Sequence, residues 1–440
     1  SIGLVGSEMC IRDRYTSPSL FSVGEKASLG LNYNGVTGYR SDDEVSNFRI
    51  RPERRNEYEG GADLSLFNGR MGISTTFYNA ISTDIIYDID VIPSTGADEM
   101  TANGASIQNN GLELTFDYRV MDRKKIKWET KFIYASNQNS VLEMNGVDAD
   151  MAKTMDPNLV PSQGIAKFSE VSPGHEYAEF KVLSWARFGH GLAVDHDLDI
   201  NTPDVAIDTL ADYNWEKNDV YIGKNGLPIM YSEKIWSGYA PNPDWTGSFY
   251  NDIKIGKKIK LSCLIDISMG GHIANYTKNS LYEWGTHADT DRRYHPDFDN
   301  PDWFGYEEGV TTEWGKGTFQ ELINHGHKAI GPGQDTIISF SQNLYENYMG
   351  RNTDVINNIE DASYMKLREV ALSYNFGPVK IGYLGDPNVT IRISAQDLKT
   401  WTNYSGWDPE TNMYQDRISG EDYFNQPQTW RANMAIQFNW

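Results

Sequence analysis

Apolar and polar side chains alternate along many segments of the chain, and this period of two predicts β-strands with one apolar and one polar face. The C-terminal segment shows the pattern clearly, because Met434, Ile436 and Phe438 are each separated by one polar or small residue. The pattern recurs at 112–119, 258–269 and 388–396, and less regularly near 25–34, 57–67, 70–80, 126–136, 243–255 and 362–376. Such runs approach the roughly 9 to 11 residues that a tilted strand needs to cross a bilayer.

The connections between these segments alternate between short and long. Asn68-Gly69 is a favoured two-residue hairpin signal, and Gly256-Lys257 is a second short connection. The long connections are rich in Asp, Asn, Gly, Trp and Tyr, and they span approximately 138–175, 190–240, 272–358 and 399–427. Short turns on one side and long loops on the other are typical of an outer-membrane barrel, although a soluble sandwich also alternates apolar and polar residues.

Composition narrows the classes of function. The chain has 39 basic and 61 acidic residues and a net charge of −22, which argues against binding to nucleic acid. Aromatic residues make up 12% of the chain, too many for a disordered acidic protein. Only Cys10 and Cys263 are present, so the sequence predicts no disulfide framework.

The first residues differ in character from the rest. Residues 1–20 lack the basic start and apolar middle of a signal peptide, and SEMCIRDRYTSPS reads like a translated sequencing adapter. We therefore expect residues 1–20 to be a non-native leader and residues 21–440 to be the part of the chain that folds.

Several segments resemble strand and loop motifs of the SusC/RagA family of TonB-dependent outer-membrane transporters. The resemblance covers most of residues 45–440 and includes Arg51-Pro52-Glu53 and Asn109-Asn110-Gly111. The motif residues with the clearest match are Asn242, Pro243, Asp244, Trp245, Asp361, Ala362, Leu367, Arg368, Trp401, Asn403, Tyr404, Asp408 and Pro409.

This resemblance implies an all-β fold, the C-terminal part of a large antiparallel transmembrane β-barrel. The family barrel has 22 strands, of which about ten to twelve are legible here, and the plug domain and TonB box are expected to be missing. It also implies an outer-membrane location in a Gram-negative bacterium, a SusD-type surface lipoprotein as partner, and energy supplied through the TonB complex. Trp440 would be the terminal aromatic residue that the barrel-assembly machinery recognises.

No enzyme signature is present, so the sequence predicts a protein without catalytic residues or a cofactor. Asp195, Asp197 and Asp199 alternate as calcium ligands can, but the Gly and Glu of a complete EF-hand loop are replaced by Ile200 and Ala206. An external Ca²⁺ site is thus possible on this pattern but has no full motif. His325 and His327 form an equally weak metal signal, favoured as solvated loop residues.

The long connection 272–358 contains aromatic residues among carboxylates, an arrangement that suits stacking on sugars and hydrogen bonding to hydroxyl groups. The candidate substrate-binding residues are Trp284, Trp303, Phe304, Tyr306 and Trp314. Packing of the loop, or contact with the lipoprotein, explains them about as well. The sequence therefore predicts import of a large nutrient, glycan in preference to peptide. The alternatives are an outer-membrane adhesin or scaffold, and a barrel enzyme.

Overall fold

A computed structural model of the chain describes most of the predicted strands. The described residues are 50–90, 99–144, 163–189, 219–231, 234–284, 328–339, 355–380, 385–413 and 420–440, with shorter stretches at 32–33, 36–37, 44–45, 193–194, 205–206, 214–217, 286–287, 316–318 and 382. The predicted leader at 1–20 and most of the predicted strand at 25–34 lie outside them. The described residues fall into two compact units.

The first unit contains four long strands in a meander. They are β1 (Arg54–Leu66), β2 (Met71–Asp90), β3 (Glu99–Asp122) and β4 (Ile126–Met144), each paired antiparallel with the next. The β1–β2 turn is closed by an N–H···O bond from Arg70 to Phe67, 3.2 Å long. Its two central residues, Asn68 and Gly69, have φ of 56° and 74°, which confirms the predicted hairpin turn.

The second unit contains most of β5 (Trp245–Ile255) and four further long strands. These are β6 (Ile259–Met269), β7 (Tyr364–Pro378), β8 (Asn388–Thr402) and β9 (Arg431–Asn439), which neighbour one another in this order. The pairs β6–β7, β7–β8 and β8–β9 are antiparallel. The connections 270–363 and 403–430 therefore start and finish at the same end of these strands. The short turns at 256–258 and 379–387 lie at the opposite end.

One face of the second sheet is apolar and exposed. Leu372 pairs with Ile393, which pairs in turn with Met434, and these side chains are 49%, 54% and 64% exposed. Ser373 and Arg392 pair on the opposite, polar face. An exposed apolar row across three strands is costly in water but is what a strand needs to face lipid.

The buried apolar core lies in the connections and not between the long strands of the second sheet. Two clusters are centred on the fully buried Phe188 and Ile222. They combine residues of 185–188, which were predicted neither as a strand nor as a long loop, with residues of the predicted long loops 190–240 and 272–358. A third cluster joins Phe168, Phe180 and Ala274. The connections thus have hydrophobic cores of their own, because the long strands of the second sheet turn their apolar residues outward.

Short elements complete these connections. Helix α1 spans Tyr276–Glu283, with the Asn275 side chain accepting the Lys278 N–H as N-cap, and a 3₁₀ helix spans Val355–Asn358. The shorter strands are Asn32–Tyr33, Val36–Thr37, Glu44–Val45, Gln163–Gly164, Ser169–Val171, Glu179–Val182, Ala193–Val194, Val205–Ala206, Val220–Tyr221, Ile235–Trp236, His272–Asn275, Lys316–Gly317, Ala329–Ile330, Ile338–Ser339, Ile359–Asp361 and Glu421–Asp422. Within the described ranges, no helix has the length and apolar character needed to cross a membrane.

Candidate functional site

A β-bulge brings charged residues together near the long-loop end of β7 and β8. Leu367 pairs with Lys399 and Glu369 pairs with Gln396, so Arg368 and two residues of β8 are left without strand partners. One of those two is Asp397, whose φ of 54° is unusual for a residue with a side chain. Bulges redirect side chains in this way, and here Arg368 Nη1 lies 3.2 Å from Asp397 Oδ1.

Arg368 joins three carboxylates from three different parts of the second unit. Its Nε donates to Asp266 on β6 over 2.7 Å, and its Nη1 donates to Glu410 in the 403–430 connection over 2.9 Å. Its third partner is Asp397 on β8. Because the planar guanidinium offers several fixed donors, one residue can hold two strands and a loop in one arrangement.

Lys366 forms a second ion-pair centre two residues away. Its side chain is 1% exposed, and Nζ lies 3.2 Å from both carboxylate oxygens of Asp408. The same ammonium also contacts Glu410 and lies 3.4 Å from the side-chain oxygen of Gln428. A buried ammonium requires partners of this kind, since an unpaired charge in the protein interior is very costly.

Glu410 is shared by both cations. Burial raises the pKa of its carboxyl group, but hydrogen bonds from Arg368, Lys366 and Tyr364 outweigh burial and lower the pKa to about 2. The Tyr364 hydroxyl donates to Oε1 over 2.6 Å. Glu410 is therefore ionised at every physiological pH, and the loop that carries it is held against the sheet by charge.

A separate polar contact closes the other side of the same loop. The buried Tyr404 hydroxyl donates to Asp422 over 2.6 Å, and Thr277 of α1 donates to the other carboxylate oxygen over 3.2 Å. Burial, followed by the hydrogen bond to Asp422, raises the pKa of Tyr404. Tyr404 is thus a neutral donor that joins 403–413 to the Glu421–Asp422 strand.

The motif at 242–245 packs against two glycines that follow β6. Gly270 has a φ of 92°, and a Cβ there would lie 2.1 Å from a carboxylate oxygen of Asp244. A Cβ at Gly271 would lie 2.8 Å from the carbonyl oxygen of Pro241. The Gly271 carbonyl in turn accepts the N–H of Ala362 over 2.8 Å, so two motifs distant in sequence meet at this corner.

The remaining motif residues have simpler positions. Asp361 accepts the N–H of Ser363 over 2.8 Å, which shapes the entry into β7. Leu367 pairs with Ile265, and the exposed Trp401 pairs with Met365. Asn403 is exposed and Pro409 is buried.

A polar cavity of about 690 Å³ lies beside Arg368 in the second unit. Its charged lining residues are Asp266, Arg368, Glu369, Asp397 and Arg431. Glu369 pairs with Arg392, and Arg431 lies 3.8 Å from Asp397, so each charge has an opposite neighbour. No catalytic arrangement follows from this set, because the carboxylates already serve as partners of arginine.

Of the five predicted substrate-binding aromatic residues, the structure describes Trp284. Its ring is 53% exposed and is stacked on Phe424, with the centroids 5.4 Å apart and the planes 6° apart. Tyr423 and Tyr276 continue this group of rings. Trp303, Phe304, Tyr306 and Trp314 lie outside the described residues.

Sequence reasoning missed several members of these clusters. Arg368 and Asp408 belong to the predicted motif set, but their neighbours Lys366 and Glu410 do not. The sequence did carry a signal. One motif contains two cations, Lys366 and Arg368, and the other contains two carboxylates, Asp408 and Glu410, so the two motifs carry opposite charges. Phe424 gave no sequence signal as the partner of Trp284.

Neither weak metal signal can be placed. Residues 195–199 and 325–327 lie outside the described part of the chain. In the ranges that are described, no group of three or more His, Cys, Asp or Glu side chains has the geometry of a metal site.

Long antiparallel strands with one exposed apolar face, joined alternately by short turns and long connections, are typical of the outer-membrane β-barrel class. The chain is similar to TonB-dependent receptor P3 of Formosa agariphila, with 22% identity over 401 residues, 89% of this chain and 35% of the relative. TonB-dependent receptor P39 of the same organism is 23% identical over 398 residues, 87% of this chain and 35% of the relative. No family model matches the sequence.

Solved structures show the same fold. The RagAB peptide importer in the closed-closed state aligns with a TM-score of 0.56 and 15% identity over 92% of this chain and 38% of that one. The structure of the RagAB peptide transporter aligns with a TM-score of 0.54 and 14% identity. The predicted all-β barrel fold class and the resemblance to SusC/RagA-type TonB-dependent transporters are thus confirmed. The matched part of the chain covers 35% of the length of TonB-dependent receptor P3, about a third of that relative.

Proposed function

We propose that this chain is part of an outer-membrane, TonB-dependent importer of a large nutrient. The observation that carries the proposal is the exposed apolar row of Leu372, Ile393 and Met434, with a polar face on the other side of the sheet. The similarity of the chain to TonB-dependent receptors supports it. Lipid covers the apolar face, and import draws its energy from the TonB complex. Transport of this kind makes no covalent change to the cargo, in agreement with relatives that are receptors and transporters.

The partners follow from the same likeness. A surface lipoprotein of the SusD type covers the long-loop side, as the two-component RagAB importers suggest. Trp440 is 77% exposed and stacks on Phe438.

For the cargo we propose an oligosaccharide. Trp284 and Phe424 present nearly parallel, half-exposed rings, and flat aromatic surfaces fit the apolar C–H faces of sugars. Asp422 and Thr277 lie next to this surface, and Phe424 N–H donates to Thr277 over 2.6 Å. This hydrogen bond fixes the backbone of Phe424 against α1, and the stacking of the two rings orients them relative to each other.

The test compares two variants of the complete protein. Trp284→Ala with Phe424→Ala removes the stacked rings, whereas Trp407→Ala removes an exposed tryptophan of the 403–430 connection and serves as the matched control. We expect the double variant to weaken oligosaccharide binding by about 1–3 kcal/mol in calorimetry, and the control to leave it unchanged.

Three results would redirect the proposal. If oligosaccharide affinity is unchanged while binding of the lipoprotein weakens, the rings belong to the partner interface. If the protein binds peptides and no oligosaccharide, the cargo assignment is wrong while the importer class stands. A protein that binds surfaces without any uptake would instead be an adhesin or scaffold.

A further inference from the structure

A positively charged cavity lies at the short-turn end of the second unit, far along the strands from Arg368. Its volume is about 570 Å³, and its charged lining residues are Lys254, Lys257, Lys258, Lys260 and Arg392. No carboxylate lines it. In a chain with a net charge of −22, five cations around one cavity depart sharply from the average composition.

Two of the five cations are neutralised by neighbours. Lys260 Nζ lies 2.9 Å from Asp252, and Arg392 pairs with Glu369. Among the described residues, no carboxylate lies within salt-bridge distance of the remaining lysines, at positions 254, 257 and 258. The cavity therefore keeps an uncompensated positive charge, which attracts anions.

The cavity opens on the polar face of the sheet. Lys260 pairs with Ser373, and Ser373 pairs with Arg392, all on the face opposite Leu372 and Ile393. Lys254 shares this face, because Asp252, two residues earlier on the same strand, contacts Lys260. Lys258 precedes β6, and its Nζ lies 6.0 Å from the centre of the Tyr374 ring, on the same face as Leu372.

We propose that this cavity binds a multivalent oxyanion, a phosphate or sulfate ester group carried by a water-soluble ligand. Lysine ammonium groups act as point charges for such anions and adapt to their geometry. A membrane lipid headgroup carries the same chemistry, but the cavity opens away from the lipid-facing row. This site lies beyond the proposed function and does not depend on it.

The experiment titrates inorganic pyrophosphate into the complete protein in neutral detergent at low salt, with calorimetric detection. The site variant is Lys254→Gln with Lys257→Gln and Lys258→Gln. The control is Lys124→Gln with Lys125→Gln and Lys380→Gln, which removes three exposed lysines near other short turns and changes the net charge equally. We expect the site variant to bind at least about tenfold more weakly and the control to change by less than about twofold.

The proposal is overturned if the unmodified protein does not bind pyrophosphate, or if both variants weaken binding equally, since the latter reports net charge alone. It is also overturned if the site variant loses binding to phosphatidylglycerol vesicles and keeps that of pyrophosphate, which marks a lipid surface. If the triple variant fails the heat-shifted mobility test for a folded barrel, Lys254→Gln is used, with about threefold weakening expected. None of these readouts measures import, so a failure here leaves the importer proposal standing.

Discussion

The ion pair between Lys366 and Asp408 should control whether the 403–413 segment stays closed over the sheet. Lys366→Met removes the ammonium and keeps a side chain of similar length. Asp408, which is 6% exposed, then loses the donor that lies 3.2 Å from both of its carboxylate oxygens. Its carboxylate keeps the hydrogen bond that the Glu410 N–H donates to Oδ1 over 3.0 Å.

The size of the effect follows from which charges lose their partners. Removing one member of a buried ion pair costs about 3–5 kcal/mol. Glu410 keeps Arg368 and Tyr364, so the lower end, about 3 kcal/mol, applies to Asp408 alone. Since 1.4 kcal/mol is a factor of ten, the open form of the segment should become roughly a hundredfold more populated. Lys366→Met with Asp408→Asn removes both charges and should recover most of this loss.

Hydrogen exchange measures this opening directly. The N–H groups of Thr411 and Met413 donate to Asp408 and Glu421 carbonyl oxygens over 3.1 and 2.6 Å, so their exchange reports closure. Arg55→Met is the control, because Arg55 and Glu57 form an exposed pair 3.0 Å apart whose loss should cost less than about 1 kcal/mol. Unchanged exchange at 408–413 in Lys366→Met, or equal acceleration throughout β7 and β8, would refute the reasoning.

Three further predictions follow from single positions. Gly111→Ala should destabilise the first unit by about 1–3 kcal/mol in urea unfolding, because a Cβ would lie 2.1 Å from the Tyr78 ring; Gly60→Ala, which meets open space, is the control. Ile393→Lys should cost about 2–4 kcal/mol on the lipid face, judged by the heat-shifted gel mobility, and Ser373→Lys on the polar face should cost less; equal losses would contradict the assignment of faces. The pKa of Glu410 falls from 4.5 to about 2 on folding, so its charge stabilises the closed segment fully above pH 4.5, and this stabilisation is lost progressively as the pH falls to about 2; pepsin cleavage at 403–413 should rise steadily over this range, and a rise already complete at pH 4 would contradict it.

Local periodicity was enough to find the long strands of the fold. The alternation at 258–269 predicts a strand that the structure places at Ile259–Met269, and Asn68-Gly69 forms the predicted turn. This succeeds because side-chain alternation is a property of the extended backbone itself. The motif resemblance likewise predicted the fold class, since the motifs mark strand starts. Strand ends were less well determined: β2 continues to Asp90, well past the predicted end near residue 80.

What tertiary structure alone decided concerns contacts between residues far apart in the chain. The bulge that leaves Arg368 without a partner residue on β8 depends on the register between β7 and β8. No local pattern specifies that register. Arg368 reaches Asp266, 102 residues earlier, and Trp284 stacks on Phe424 from another connection. The buried core around Phe188 was equally hidden, because most of its members come from predicted long loops and none of its segments was predicted as a strand. Period two predicts which face a residue takes on its strand, whereas the partner it meets is settled when distant segments pack together.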